Sequence, residues 1–186
     1  MCTREAQLGC VHGLMGIMRP LLCLGLCLSL LPPPACGDEE PPPPLGCPDG
    51  ARDVLMDLWT ATDGEVSWRD NEGWASDEPC CGWFGVTCDS NSSAVTTLRL
   101  ANNRLRGTLP DSLGSLGEGL EQLIIYGNSP GRDGACFQPS HGCLTGTIPA
   151  TLNLLTGMQK LYLHYNVMSG TVPSLRNMVD LDFIHL

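Results

Sequence analysis

Positive charge is scarce in this sequence: Lys160 is its only lysine, and 10 basic residues face 20 acidic ones, for a formal charge of -10. A chain so poor in cations has no basic surface with which to displace phosphate counterions, which argues against nucleic acid as a partner. Aromatic residues make up only 5% of the 186 residues. No apolar run approaches the ~20 residues of a membrane-spanning helix, so membrane association would require a transmembrane segment in a longer product. The chain also lacks GxSxG, HExxH, GxGxxG and phosphate-loop signatures, so no catalytic residue and no cofactor is assigned, and no enzyme activity is expected.

Cysteine is abundant, with 11 residues. Arg4, His12 and Arg19 precede the apolar run 21–31, which Pro32, Pro33 and Pro34 then break before the small-x-small pattern Ala35-Cys36-Gly37. This is the layout of a signal peptide over 1–37, with an uncleaved signal anchor as the alternative; both put the rest of the chain outside the cell, secreted or at the surface. Cleavage there leaves Cys47, Cys80, Cys81, Cys88, Cys136 and Cys143, an even set that can pair completely. There is no CxxC pair, and no histidine at ligand spacing nearby, so no metal site is assigned.

Residues 38–46 read as a proline-rich linker, and 47–94 as a cap on the repeats that begin at Val95. Val54, Leu55, Leu58 and Trp59 recur at helical spacing, which predicts one amphipathic helix stopped at Gly64. Trp68, Trp74 and Trp83 come next in a cysteine-rich stretch suited to packing against something flat and apolar.

From 95 to 186 the chain repeats itself, in about three copies and a partial fourth. The first copy opens VTTLRLANNRLRGTLP at Val95; the second opens LEQLIIYGN at Leu120 and resumes as LTGTIP at Leu144; the third opens MQKLYLHYNVMSGTVP at Met158; LDFIHL begins a fourth. In each, a short LxL strand sends alternate residues inward: Leu98 and Leu100, Leu123 and Ile125, Leu161 and Leu163. Asn103, Asn128 and Asn166 should turn inward and satisfy loop backbone groups that stacking would otherwise bury unpaired. Gly107, Gly146 and Gly170, each followed by Pro110, Pro149 or Pro173, shape the turn onto the convex side. Because the fourth copy breaks off at Leu186, the native product is expected to be longer, or this chain to associate through that end.

The LxGxxP half, seen as LRGTLP, LTGTIP and MSGTVP, resembles the plant-specific class of leucine-rich repeat. The segment Cys81-Gly-Trp83-Phe-Gly85-Val86-Thr-Cys88 is similar to the CxWxGVxC cap signature of plant receptor-like kinases and polygalacturonase-inhibiting proteins, and the Cys80-Cys81 doublet is shared with the inhibitors. The words ATDG and WFGV are also similar to repeat proteins of algae. The resemblance covers 47–186 and implies an α/β solenoid: a right-handed leucine-rich-repeat coil with short parallel strands on the concave face and a helical, disulfide-bonded N-terminal cap. It also implies that Cys47 pairs with Cys80 and Cys81 with Cys88.

SPGRDGACFQPSHGC is an insertion at 129–143, in which Cys136 and Cys143 would close a small ring; it reads equally as a passive bulge or as a recognition finger. On the concave strands the outward positions include Thr97, Arg99 and Ala101, then Gln122, Ile124 and Tyr126, then Lys160, Tyr162 and His164, with His185 on the partial copy. Of these, Arg99, Gln122, Tyr126, Lys160, Tyr162, His164 and His185 are the candidate ligand contacts, the aromatics having polar tips suited to recognition. Asn91-Ser92-Ser93 is a glycosylation sequon in the loop between cap and repeats.

The expected function is extracellular recognition of a protein, peptide or polysaccharide ligand. Two alternatives stand beside it, the front of a receptor-like kinase ectodomain and a structural adhesion protein. Three to four strands about 4.8 Å apart give a floor only about 15 Å long, well short of the roughly 800 Å² per partner of a stable interface, which suits a short peptide or sugar.

Overall fold

The computed structural model describes residues 46–128 and 143–186. The expected signal peptide, nearly all of the linker, and insertion residues 129–142, including Cys136, lie outside the described residues.

Helix α1 (Ala51–Ala61) buries Val54, Leu55, Leu58 and Trp59, the face its spacing predicts. Its end comes earlier than Gly64. The Thr62 backbone N–H and hydroxyl both donate to the Leu58 carbonyl, and Asp63 then turns left-handed at φ 58°, which breaks the helical path. Gly64 instead opens the four-residue helix α2 (Gly64–Ser67), where a Cβ would collide with the Trp59 ring. Glycine is needed there for space, and the helix stop is supplied by its neighbours.

The four tryptophans pack mainly on one another. Ring centroids of Trp59–Trp68, Trp68–Trp74 and Trp74–Trp83 are 5.0, 4.8 and 5.0 Å apart, within the range where aromatic pairs add to simple burial. Three indole N–H groups reach backbone carbonyls: Trp68 to Thr62, Trp74 to Phe84 and Trp83 to Glu78. Arg52 covers the outer face of Trp83 at 5.1 Å. Disulfides Cys47–Cys80 and Cys81–Cys88 tie this cap together.

Strand β1 (Val86–Cys88) pairs antiparallel with β2 (Val95–Arg99), and so joins the cap to the repeats. Short strands β3 (Gly107–Thr108), β4 (Gln122–Ile124), β5 (Leu144–Thr145), β6 (Lys160–Tyr162) and β7 (Phe183–His185) follow. The larger sheet has the order β1-β2-β4-β6-β7 and is parallel from β2 onward; β3 and β5 form a second parallel pair. Opposite the larger sheet's strands, 3-10 segments Asp111–Gly119 and Ala150–Leu154 begin directly after Pro110 and Pro149, where a fixed φ suits helix entry.

Equivalent leucines stack from copy to copy. Leu98, Leu123 and Leu161 lie in register, and together with Leu100, Leu105, Leu113, Leu144 and Leu152 they are fully buried. In β7 the corresponding Ile184 and Leu186 are about half exposed, since no described strand lies beyond them. Gly107, at φ 120°, sits where a Cβ would meet the Ala61 carbonyl, so the first repeat approaches the end of α1 as closely as only glycine permits.

The asparagines form a ladder. Asn128 Oδ1 accepts the N–H groups of Asn103 and Leu105 at 3.0 and 3.2 Å. Asn166 Nδ2 donates to the Ile125 and Leu163 carbonyls at 2.6 and 2.7 Å, and its Oδ1 accepts from the Asn128 N–H. Asn103 turns the other way, to the cap, exchanging two hydrogen bonds with the Asp70 backbone at 2.7 and 2.8 Å. Buried backbone groups that no strand can reach are thereby paired.

Candidate ligand-binding site

Parallel pairing sets the side chains of the larger sheet in rows. One row is Thr97, Gln122, Lys160 and Phe183; the next is Arg99, Ile124, Tyr162 and His185. Backbone bonds extend the alignment past the strand ends: the N–H of Asn102 donates to the Tyr126 carbonyl, that of Gly127 to His164, and those of Leu163 and His164 to His185. Tyr126, His164 and His185 are thus held side by side.

Arg99, Gln122, Ile124, Tyr126, Lys160, Tyr162 and His164 enclose a cleft of about 450 Å³, within the size range of small-ligand sites. Ile124 is only 7% exposed and closes the floor, so it is a packed residue at an outward position. Thr97 and Ala101 do not line the cleft. His185 stands at its far end, stacked on His164 with centroids 3.8 Å apart and planes 16° from parallel. On its other side His164 stacks on Tyr126 at 4.5 Å, and Tyr162 meets it edge-on at 6.0 Å.

Burial, followed by the neighbouring His185 charge, lowers the His164 pKa below the ordinary imidazole value of 6.5, against a smaller opposing effect of its backbone bond to His185. Its buried Nδ1 has no hydrogen-bond partner among the described residues. The imidazole is therefore biased toward its neutral form, in contact with four further rings.

One contact went unforeseen in the sequence. Tyr165 lies edge-on to His164 at 4.8 Å and is 73% exposed. It precedes the ladder asparagine Asn166, as Asn102 and Gly127 precede Asn103 and Asn128, and all three have positive φ. Asparagine and glycine are ordinary in that conformation and tyrosine is not. The signal was an aromatic residue in a slot that the other copies fill with turn formers.

Away from the cleft, Cys143 is disulfide-bonded and buried, while its expected partner Cys136 lies outside the described residues. Asn91 is exposed in the loop between β1 and β2. Among the described residues no helix is long and apolar enough to cross a membrane.

Residues 94–116, which hold β2, the first ladder asparagine and the first LxGxxP turn, match the family model for the Leucine Rich Repeat. The chain carries leucine-rich repeats similar to those of plant receptor-like proteins. A probable inactive receptor kinase of Arabidopsis thaliana is 32% identical over 112 residues, covering 59% of this chain and 15% of that relative. The polygalacturonase inhibitor of Pyrus communis is 33% identical over 92 residues, covering 50% and 24%. This leucine-rich-repeat chain spans 10% to 15% of the length of the first curated relatives it matches. Among solved structures, a plant ice-binding protein superposes with a TM-score of 0.59 at 26% identity, covering 75% of this chain and 40% of that one. The PEPR1-AtPEP1 structure does so at 0.52 and 27%, covering 73% and 17%.

Proposed function

We propose that this chain is an extracellular recognition module, and that the concave face of its repeats binds a short peptide, a segment of a protein, or an oligosaccharide. The observation that carries this reading is the cleft itself: three consecutive strands bring polar-tipped aromatic side chains and two cations to one concavity, where the fold requires only that the opposite side chains be apolar. The arrangement assigns binding roles and no catalytic step.

In this reading 1–37 is a signal peptide, 38–46 a linker, 47–94 the cap, and 95–186 a right-handed solenoid that carries an insertion at 129–143. Disulfides suit the oxidising compartment to which such a leader directs a chain. Asn91, exposed beyond the sheet's cap edge, is the glycosylation position. A receptor ectodomain is the second reading. It is favoured by the match to a receptor kinase of which this chain spans only 15%.

An unbiased peptide and glycan array probed with the full chain, and with Tyr126, Tyr162 and His164 changed together to alanine, tests the proposal. Binding lost in the triple variant, with an unchanged thermal midpoint, is the expected result. Binding that persists undiminished would move the site off this face.

A further inference from the structure

The loop that joins β1 to β2 is closed by its own hydrogen bonds, and the glycosylation sequon lies inside it. Asp89 is the hub. Its backbone N–H donates to the Ala94 carbonyl, and its own carbonyl accepts from the Ser92 N–H, both at 3.0 Å. Its Oδ1 accepts the N–H groups of Ser93 and Ala94 at 2.7 and 2.8 Å, and its Oδ2 accepts the Ser93 hydroxyl at 2.8 Å. Ser92 turns left-handed at φ 55°, a conformation uncommon for serine. The loop is also anchored at both ends, by the Cys81–Cys88 disulfide before it and by buried Val95 after it. Asn91 stands exposed between Asp89 and Ser93, and among the described residues its side chain takes no part in these bonds.

Glycosylation of a sequon uses two side chains, the asparagine amide that accepts the sugar and the hydroxyl two residues on. In the transfer, the Asn91 amide nitrogen bonds to the anomeric carbon of a lipid-diphosphate-linked oligosaccharide. The bond from that carbon to the diphosphate oxygen breaks, the nitrogen gives a proton to a base of the transferase, and the lipid diphosphate leaves with the electron pair. The transferase must hold the tripeptide in its own cleft, so both the Ser93 hydroxyl and the backbone at Ser92 have to be free. In the folded chain neither is. The hydroxyl is engaged by a carboxylate, in a charge-assisted bond of the stronger kind, and the same carboxylate holds the turn through two backbone N–H groups. Exposure of Asn91 is therefore not enough to make it an acceptor.

We propose that the Asp89–Ser93 clamp makes Asn91 a folding-gated glycosylation site, an acceptor until the β1–β2 loop closes and shut afterwards, so that the protein emerges as a mixture of glycosylated and bare forms. This rests on the glycosylation reading of Asn91 above and adds what governs its occupancy. The clamp needs only the residues between two neighbouring strands, a contact that forms early. A lone two-stranded hairpin is marginal in water, so closure becomes lasting when β4 seats in register against β2, Leu123 beside Leu98. The acceptor window is the interval before that step. A sugar attached in the window hangs from a side chain outside the clamp, and the loop then closes behind it.

The test is to express the full chain in a eukaryotic host that glycosylates secreted proteins, and to read Asn91 occupancy, in cells and medium together, from the intact mass before and after an N-glycan amidase. Asp89→Ala should lower the bare fraction severalfold relative to the parent. Asp89→Asn, which keeps an acceptor oxygen but not the charge, should fall between them, and Ser93→Ala should carry no glycan. Asn128→Ala weakens the repeats without touching the loop and separates the clamp from slow folding in general; its occupancy should match the parent's. Complete occupancy of the parent, equal occupancy in parent and Asp89→Ala, or an equal rise in Asn128→Ala and Asp89→Ala overturns the gate and leaves Asn91 a glycosylation site. No glycan on the parent or on either Asp89 variant overturns both.

Discussion

Tyr165 meets His164 edge-on, with ring centroids 4.8 Å apart, from a backbone at φ 54° where the two preceding copies have asparagine and glycine. A left-handed backbone costs a residue with a Cβ about 1 kcal/mol or more, and strain of this kind collects at functional sites. Tyr165→Gly should raise the thermal midpoint by a few degrees and weaken ligand retention. A midpoint that falls would show that the tyrosine packs for stability.

Stability should fall on mild acidification. Because the folded-state pKa of His164 lies below 6.5, the unfolded chain binds the proton more readily. The contribution of this residue is complete above pH 6.5 and is lost as pH drops from there through the lowered value. Asp89, whose carboxylate accepts hydrogen bonds from the Ala94 N–H and the Ser93 hydroxyl and N–H, has a pKa lowered from 3.8, chiefly by the bond from Ala94. Its contribution disappears in a separate, more acidic window. Urea midpoints between pH 7.5 and 5 should decline in the parent and stay flatter in His164→Phe.

Asn128→Ala should cost about 2 to 3 kcal/mol, since it leaves the buried N–H groups of Asn103 and Leu105 without their acceptor. Asn128→Leu, which restores volume without an oxygen, should not recover that loss. Denaturant unfolding of the two variants separates hydrogen bonding from packing.

The two cap disulfides should differ in worth. Cys47–Cys80 closes a separation of 33 residues and Cys81–Cys88 one of 7. The chain-entropy model assigns them about 4 and about 2 kcal/mol. Paired Cys→Ser variants, compared by thermal unfolding, should fall in that order.

Most of the repeat could be read from sequence because its parts are periodic. Leu98, Leu123 and Leu161 had to share a register, and Asn103, Asn128 and Asn166 had to serve the loops between copies. The cap helix was legible from the spacing of Val54, Leu55, Leu58 and Trp59, but its end was not: Asp63 takes a left-handed turn that the adjacent Gly64 was expected to supply. Strand alternation placed six of the cleft's seven lining residues among the candidate contacts; Ile124, read only as an outward position, closes the floor, and His185, a candidate contact, is not among the lining residues. Tyr165 escaped because its slot lies outside the LxxLxL pattern, and its significance appears only when backbone angles of three copies are compared. The stacking of His185 on His164 crosses between rows and so could not be read from a register alone.

The distribution of aromatic residues divides the molecule optically. All four tryptophans of the chain, Trp59, Trp68, Trp74 and Trp83, lie in the cap, whereas all three tyrosines, Tyr126, Tyr162 and Tyr165, lie at the concave face. Indole emission therefore reports on the cap and phenol emission on the side of the sheet that carries the cleft. A change in indole emission therefore reports first on the packing of the cap, without a label.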